Sequence, residues 1–156
     1  DLHSFPTRRS SDLHIAFYRR PRDVRRLFPD YPEVEKAYYV RTKIFPIMHV
    51  VVLRRDVYEA NRWLAQSLYK AFRLAQRFAY DDLHITAALK TMLPWQTAAV
   101  EEAERTLGLD WWPYGYHPNR HVLELFLRYH HEQGLSSRRL KPDELFAPET
   151  LEEFKI

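Results

Sequence analysis

Cysteine is absent from the chain and glycine nearly so, with three residues in 156. The first absence excludes structural disulfides and thiolate nucleophiles; it leaves the compartment open, because many proteins of oxidising compartments also lack cysteine. The second excludes phosphate cradles, since a P-loop or dinucleotide fingerprint needs several glycines within one loop and Gly108, Gly115 and Gly134 stand apart. A nucleophile elbow is missing too. No apolar run approaches the roughly 20 residues that span a bilayer. The net charge of +3 is too mild to call for nucleic acid without a concentrated basic patch. Neither a nucleic-acid nor a membrane partner is expected.

What is present suits one ordinary domain: 46% of residues are hydrophobic and 29% charged, enough to bury a core. The opening stretch DLHSFPTRRSSDL is different. It has no apolar segment after its arginines, as an export signal requires, and Asp1 and Asp12 cancel Arg8 and Arg9. These residues resemble the in-frame translation of a sequencing-adapter oligonucleotide. The expected organisation is therefore a non-native tail at residues 1–13 and a native domain at 14–156, with the natural N-terminus missing. Arg19, Arg20, Arg22, Arg25 and Arg26 form a basic cluster near that start, read either as a solvated face or as an attraction for an acidic ligand.

Along the chain, Leu13 to Tyr18 is compatible with a short strand. Pro32 suits the first turn of a helix through Glu33 and Tyr38. The segment KIFPIMHVVVLRRD is the best strand candidate, because Ile47 to Leu53 is apolar on both parities except at His49, and three successive valines disfavour helix. A strand apolar on both faces belongs inside a layered sheet. From Asp56 onward the pattern is helical, with Leu64, Leu68, Phe72, Ala75 and Ala79 forming a stripe expected to pack inward. Pro94 opens a further helix that Gly108 ends, DWWPYGYHPN reads as an ordered loop, and a helix through Val122, Phe126 and Tyr129 is capped by Gly134. PDELFAPETLEEF offers two short helical turns. Many helices beside one buried strand leave that strand's edges unpaired, which points to partners upstream.

Candidate chemistry is sparse. His130 and His131 are adjacent, and His117 and His121 are interrupted by Pro118, so no metal site is expected. His49, amid Ile47, Met48, Val50 and Val51, is either a core histidine bonded to backbone or, beside a cleft, an acid or base. Arg41, Arg54, Arg55 and Arg120 are candidates for a bidentate grip on a carboxylate. Trp111, Trp112, Tyr114 and Tyr116 either stack on an aromatic ligand or anchor their own loop.

Several ordered motifs then agree with one another. IFPIMH followed by RRDVYE, WLAQSLYKAF, WPYG, NRHVLELFLRYHHEQGLSSRRL and ELFAPETLE together resemble the 4,5-dihydroxyphthalate decarboxylase family, from Arg20 to Ile156. The resemblance implies an α/β fold of the two-lobed type II periplasmic-binding-protein kind, of which this chain is the C-terminal fragment, mostly helical with one or two strands. Two positions depart from the family pattern: Lys43 stands where glycine is usual, and Asn61-Arg62 replaces a His-Pro pair. The implied reaction is cofactor-free, non-oxidative decarboxylation of a small aromatic diacid, with the fragment inactive by itself. On that scheme His49 is the acid or base, Arg41 and Arg120 bind carboxylate, and Trp112 and Tyr114 contact the ring. A cytoplasmic location goes with this reading. The alternative is a periplasmic solute-binding protein that delivers a small acid to an ABC transporter, a choice that fold alone does not make.

Overall fold

The computed structural model describes residues 26–152. Within them lie five α-helices, α1 (Tyr31–Thr42), α2 (Arg55–Ala60), α3 (Trp63–His84), α4 (Gln96–Leu107) and α5 (Tyr116–Glu132), and two 3-10 turns, Pro142–Leu145 and Pro148–Thr150. The tail at 1–13, the strand expected at Leu13 to Tyr18 and the arginines before Arg26 lie outside the described residues. The chain divides into two units, residues 1–37 and 38–156, with the boundary inside α1. In the first unit the Asp30 carbonyl accepts hydrogen bonds from the N–H groups of Glu33 and Val34, and Arg26 lies 4.5 Å from the centre of the Tyr31 ring. Pro32 sits in the first helical turn, where its missing N–H leaves no intrahelical bond unmade.

The remaining features belong to the second unit, and they overturn the α/β expectation: among the described residues there is no strand. Residues 43–54 form no regular element. Between Phe45 and Leu53 no backbone hydrogen bond joins this run to the described residues. Its valines have high β propensity, but a strand exists only by pairing, and no second extended segment is supplied. The two-lobed architecture with one or two strands in this chain therefore does not describe what is observed. His49, placed in a core by its neighbours in sequence, is exposed.

The helical expectations fare better. Asn61 separates α2 from α3, its side chain donating back to the Val57 carbonyl at 3.3 Å. Gly108 ends α4 with φ +96°, its N–H bonded to the Glu104 carbonyl. At the end of α5 Gly134 adopts φ +72°, with the Gly134 N–H on the His131 carbonyl and the Leu135 N–H on the His130 carbonyl, a complete Schellman motif. Both turns expected from PDELFAPETLEEF form. The faces are another matter. The buried apolar residues are Ala65, Val100, Val122, Leu123 and Leu127, whereas Phe126 and Tyr129 point to solvent. On α3 the stripe expected to face inward is turned away: Phe72, Ala75 and Ala79 are exposed, and Ala65 and Gln76 are the buried positions.

The departure at Lys43 has a structural consequence. Lys43 follows the last turn of α1 with φ +58°, and its N–H bonds to the Tyr39 carbonyl at 2.7 Å. This left-handed cap is the conformation that glycine adopts without a Cβ penalty. Lys43→Gly should therefore raise stability by about 1 kcal/mol, less the small contribution of the Lys43 ammonium over the Tyr39 ring. A denaturant midpoint that falls instead would show that the side chain outweighs the backbone.

Candidate functional site

α3 organises the aromatic loop between α4 and α5. Gln76, only 8% exposed, donates through Nε2 to the Trp112 carbonyl and accepts through Oε1 from Arg73. One turn on, the Tyr80 hydroxyl accepts the Trp112 N–H at 2.9 Å and donates to Asp110 at 3.0 Å, while the Trp111 ring stacks on Tyr80 with centroids 4.4 Å apart. Burial pushes the Tyr80 phenol up to about 12 against the opposing hydrogen bond from the Trp112 backbone. Tyr69 reaches the Tyr114 carbonyl at 3.4 Å, and Asn119 donates to the carbonyls of Pro113 and Gly115. Below the loop, His84 bridges the Tyr80 carbonyl at 2.7 Å and Glu104 at 2.8 Å; these two acceptors, the carbonyl first, raise its pKa. The loop is thus held by hydrogen bonds to its own backbone.

The open cleft lies at the start of α5, where the chain returns after Gly134. A cavity of about 350 Å³ is lined by Arg120, Glu124, Arg139, Leu140, Lys141, Pro142 and Asp143. Its lining combines Leu140 and the buried Pro142 with three cations and two carboxylates. Arg120 is held by Glu124, Nε to Oε1 at 2.8 Å, one helical turn away. Neighbouring Arg138 takes Glu144 at 2.6 Å. That leaves the Arg139 guanidinium with no ion pair among the described residues, while Lys141 lies in the field of Glu144, whose carboxyl is held below the ordinary range by Arg138 first and by Lys141 after it. An unpaired guanidinium and a partly engaged ammonium beside Leu140 and Pro142 suit an anionic group attached to a flat hydrocarbon body.

The residues singled out in the sequence are dispersed. Arg120 lines the cleft. Arg41, at the end of α1, lies 5.8 Å from the Tyr38 ring centre and faces no carboxylate among the described residues. His49 lies exposed in the irregular run. Trp112 packs edge-on against Phe45 at 5.5 Å, and Tyr114 is held through its carbonyl. The anchoring role of the loop aromatics is what the geometry displays. Arg139 and Lys141 escaped the sequence reading although both lie in or beside the quoted run ending SSRRL; two cations flanking Leu140 just before the turn-forming Pro142 were the available signal.

No protein-family model matches the chain. Over 141 residues, 90% of this chain, it is 42% identical to 4,5-dihydroxyphthalate decarboxylase from Comamonas testosteroni. The chain is similar in sequence to part of that decarboxylase. The match covers 43% of the Comamonas protein, so the chain spans less than half of the length of this relative.

Proposed function

We propose that this chain supplies the carboxylate-gripping portion of a non-oxidative decarboxylase acting on an aromatic diacid of the 4,5-dihydroxyphthalate type. The observation that carries the proposal is the 42% identity over 141 residues to the decarboxylase. The cation-lined cleft supports it independently of that likeness, since a diacid that loses one carboxylate must be held by the other.

The chemistry is simple to balance. The ring hydroxyl para to the departing carboxylate pushes an electron pair toward the carbon that bears it. That carbon takes a proton, aromaticity is lost for the lifetime of the intermediate, and cleavage of the carbon–carboxylate bond releases carbon dioxide and restores the ring. From 4,5-dihydroxyphthalate the remaining product is 3,4-dihydroxybenzoate. The hydroxyl supplies the electrons, so the scheme draws on no redox cofactor.

In this scheme Arg120, Arg139 and Lys141 hold the retained carboxylate over Leu140 and Pro142. His49 is the proposed acid or base, an imidazole unencumbered by any hydrogen bond to the described residues. Arg41 is kept as a second carboxylate partner, and Trp112, partly exposed, with Tyr114 is kept as a contact for the ring. The reading is tested in a chimera in which residues of this chain replace the matched part of the Comamonas decarboxylase. Arg139→Ala in that chimera should raise KM for the diacid about tenfold or more with a smaller change in kcat, as expected for lost ground-state binding. An unchanged KM would remove the cleft from substrate binding.

A further inference from the structure

α3 carries its most apolar surface outward. Trp63, Leu74 and Phe78 recur at intervals of eleven and four residues, which places them on one side of the helix, with Ala71 and Ala75 alongside. Trp63 is 64% exposed and Phe78 59% exposed. Aromatic side chains each offer about 150–250 Å² to a contact, so these two leave on the order of 200 Å² of ring surface in water. With the exposed Leu74 between them in angle, this nears the few hundred Å² of the largest apolar patch a soluble monomer ordinarily shows.

The run after Lys43 adds a second surface of the same kind. Val50, Val51 and Val52 are consecutive and all exposed, Val52 by 82%, and their peptide groups have no partner among the described residues. Three neighbouring side chains outside a helix point in different directions, so covering them takes a partner that wraps the run and also satisfies its backbone.

These features discriminate between occupants. A two-fold contact between copies covers one self-complementary patch, and it does not enclose a run exposed on all sides. A large apolar surface of this form is the signature of a core divided between two parts, as in obligate interfaces. The comparison supplies such a part: the Comamonas decarboxylase has 57% of its length outside the match, by subtraction of the matched 43%.

We propose that the outward face of α3 around Trp63, Leu74 and Phe78, together with Val50 to Val52, is the docking surface for the portion of a decarboxylase-length protein that this chain does not match. The surface is apolar and rimmed by the charged residues Arg77 and Asp81, so its partner presents an apolar face of similar extent. The proposal rests on the kinship with the decarboxylase and is independent of the acid-binding cleft, because docking is read without substrate.

The test is co-expression of this chain with the part of the Comamonas protein outside the match, followed by mass measurement of the purified complex and hydrogen exchange on the chain. The expected result is a one-to-one complex in which amides 47–53 exchange at least tenfold more slowly than in the chain alone. Phe78→Glu and Leu74→Glu, at exposed positions, should leave the helical circular dichroism of the isolated chain unchanged and weaken the complex a hundredfold or more. Failure to form the complex overturns the proposal. So does a homodimer of the chain that Phe78→Glu disperses, which would make a second copy the occupant, and so does a complex indifferent to both substitutions. Failure of carbon dioxide release with the complex intact would count against the proposed function and leave the docking surface standing.

Discussion

Gln76→Ala should lower the stability of the chain by about 2–3 kcal/mol, the range for truncating a buried side chain whose polar partners lose their bonds. Gln76 is one of two buried polar residues among those described, and it donates to the Trp112 carbonyl while accepting from Arg73. Its removal opens a void under the aromatic loop and leaves the Trp112 carbonyl with no donor from α3. Against a total of roughly 5–15 kcal/mol for a domain, a loss of this size is large. Gln76→Glu keeps the shape but replaces the donor with a carboxylate facing a carbonyl oxygen, so it should be destabilising to a similar degree. Denaturant unfolding measures both, and tryptophan emission should shift to longer wavelength as Trp111 and Trp112 gain water. A Gln76→Glu protein as stable as the parent would show that the loop is not held by this amide.

Gly115→Ala should cost a comparable amount by a different route. Gly115 has φ +108° and ψ 168°, a region that essentially only glycine occupies, at a cost of about 1–3 kcal/mol for any other residue. A Cβ there would also overlap the Tyr69 hydroxyl, which bonds to the neighbouring Tyr114 carbonyl, and loss of that bond adds about 1 kcal/mol. Gly108 supplies the control. It has nearly the same backbone, φ +96° and ψ 176°, but nothing within 4 Å of an added Cβ. Gly108→Ala should therefore show the backbone part alone, and the difference between the two variants reports the Tyr69 contact. Equal losses at both positions would remove Tyr69 from the account.

These two sites show what the sequence made legible and what it hid. Helix ends are written in single residues, so Pro32, Gly108, Gly134 and the Pro142 and Pro148 turns were readable, because one side chain or its lack decides the local backbone. The extended run was misread for the same reason that it was readable: Val50 to Val52 state a preference, but pairing is a property of two segments, and no partner segment is found among the described residues. Which face of α3 is covered was also beyond periodicity. The apolar stripe was identified, yet the structure buries Ala65 and Gln76 and turns Phe72, Ala75 and Ala79 outward, because the loop anchored by Gln76 and Tyr80 lies on that other side.

The candidate site was legible in part. Arg120 was singled out by type and lies in the cleft, whereas Arg139 and Lys141 are brought to it only by the turn after α5. Arg139 stands beside Arg138, and nothing in the sequence says which of the two is consumed by Glu144; the 2.6 Å pair at Arg138 decides it. His49, Arg41, Trp112 and Tyr114 do not line the cleft, and their proposed roles depend on how the docking surface is filled.

The most direct measurement is the fate of 4,5-dihydroxyphthalate in the chimera that carries this chain in place of the matched part of the Comamonas decarboxylase. The account predicts one carbon dioxide released for each 3,4-dihydroxybenzoate formed, with turnover that falls when the Arg139 and Lys141 cations are removed together. A chimera that folds, binds no diacid and releases no carbon dioxide would contradict it.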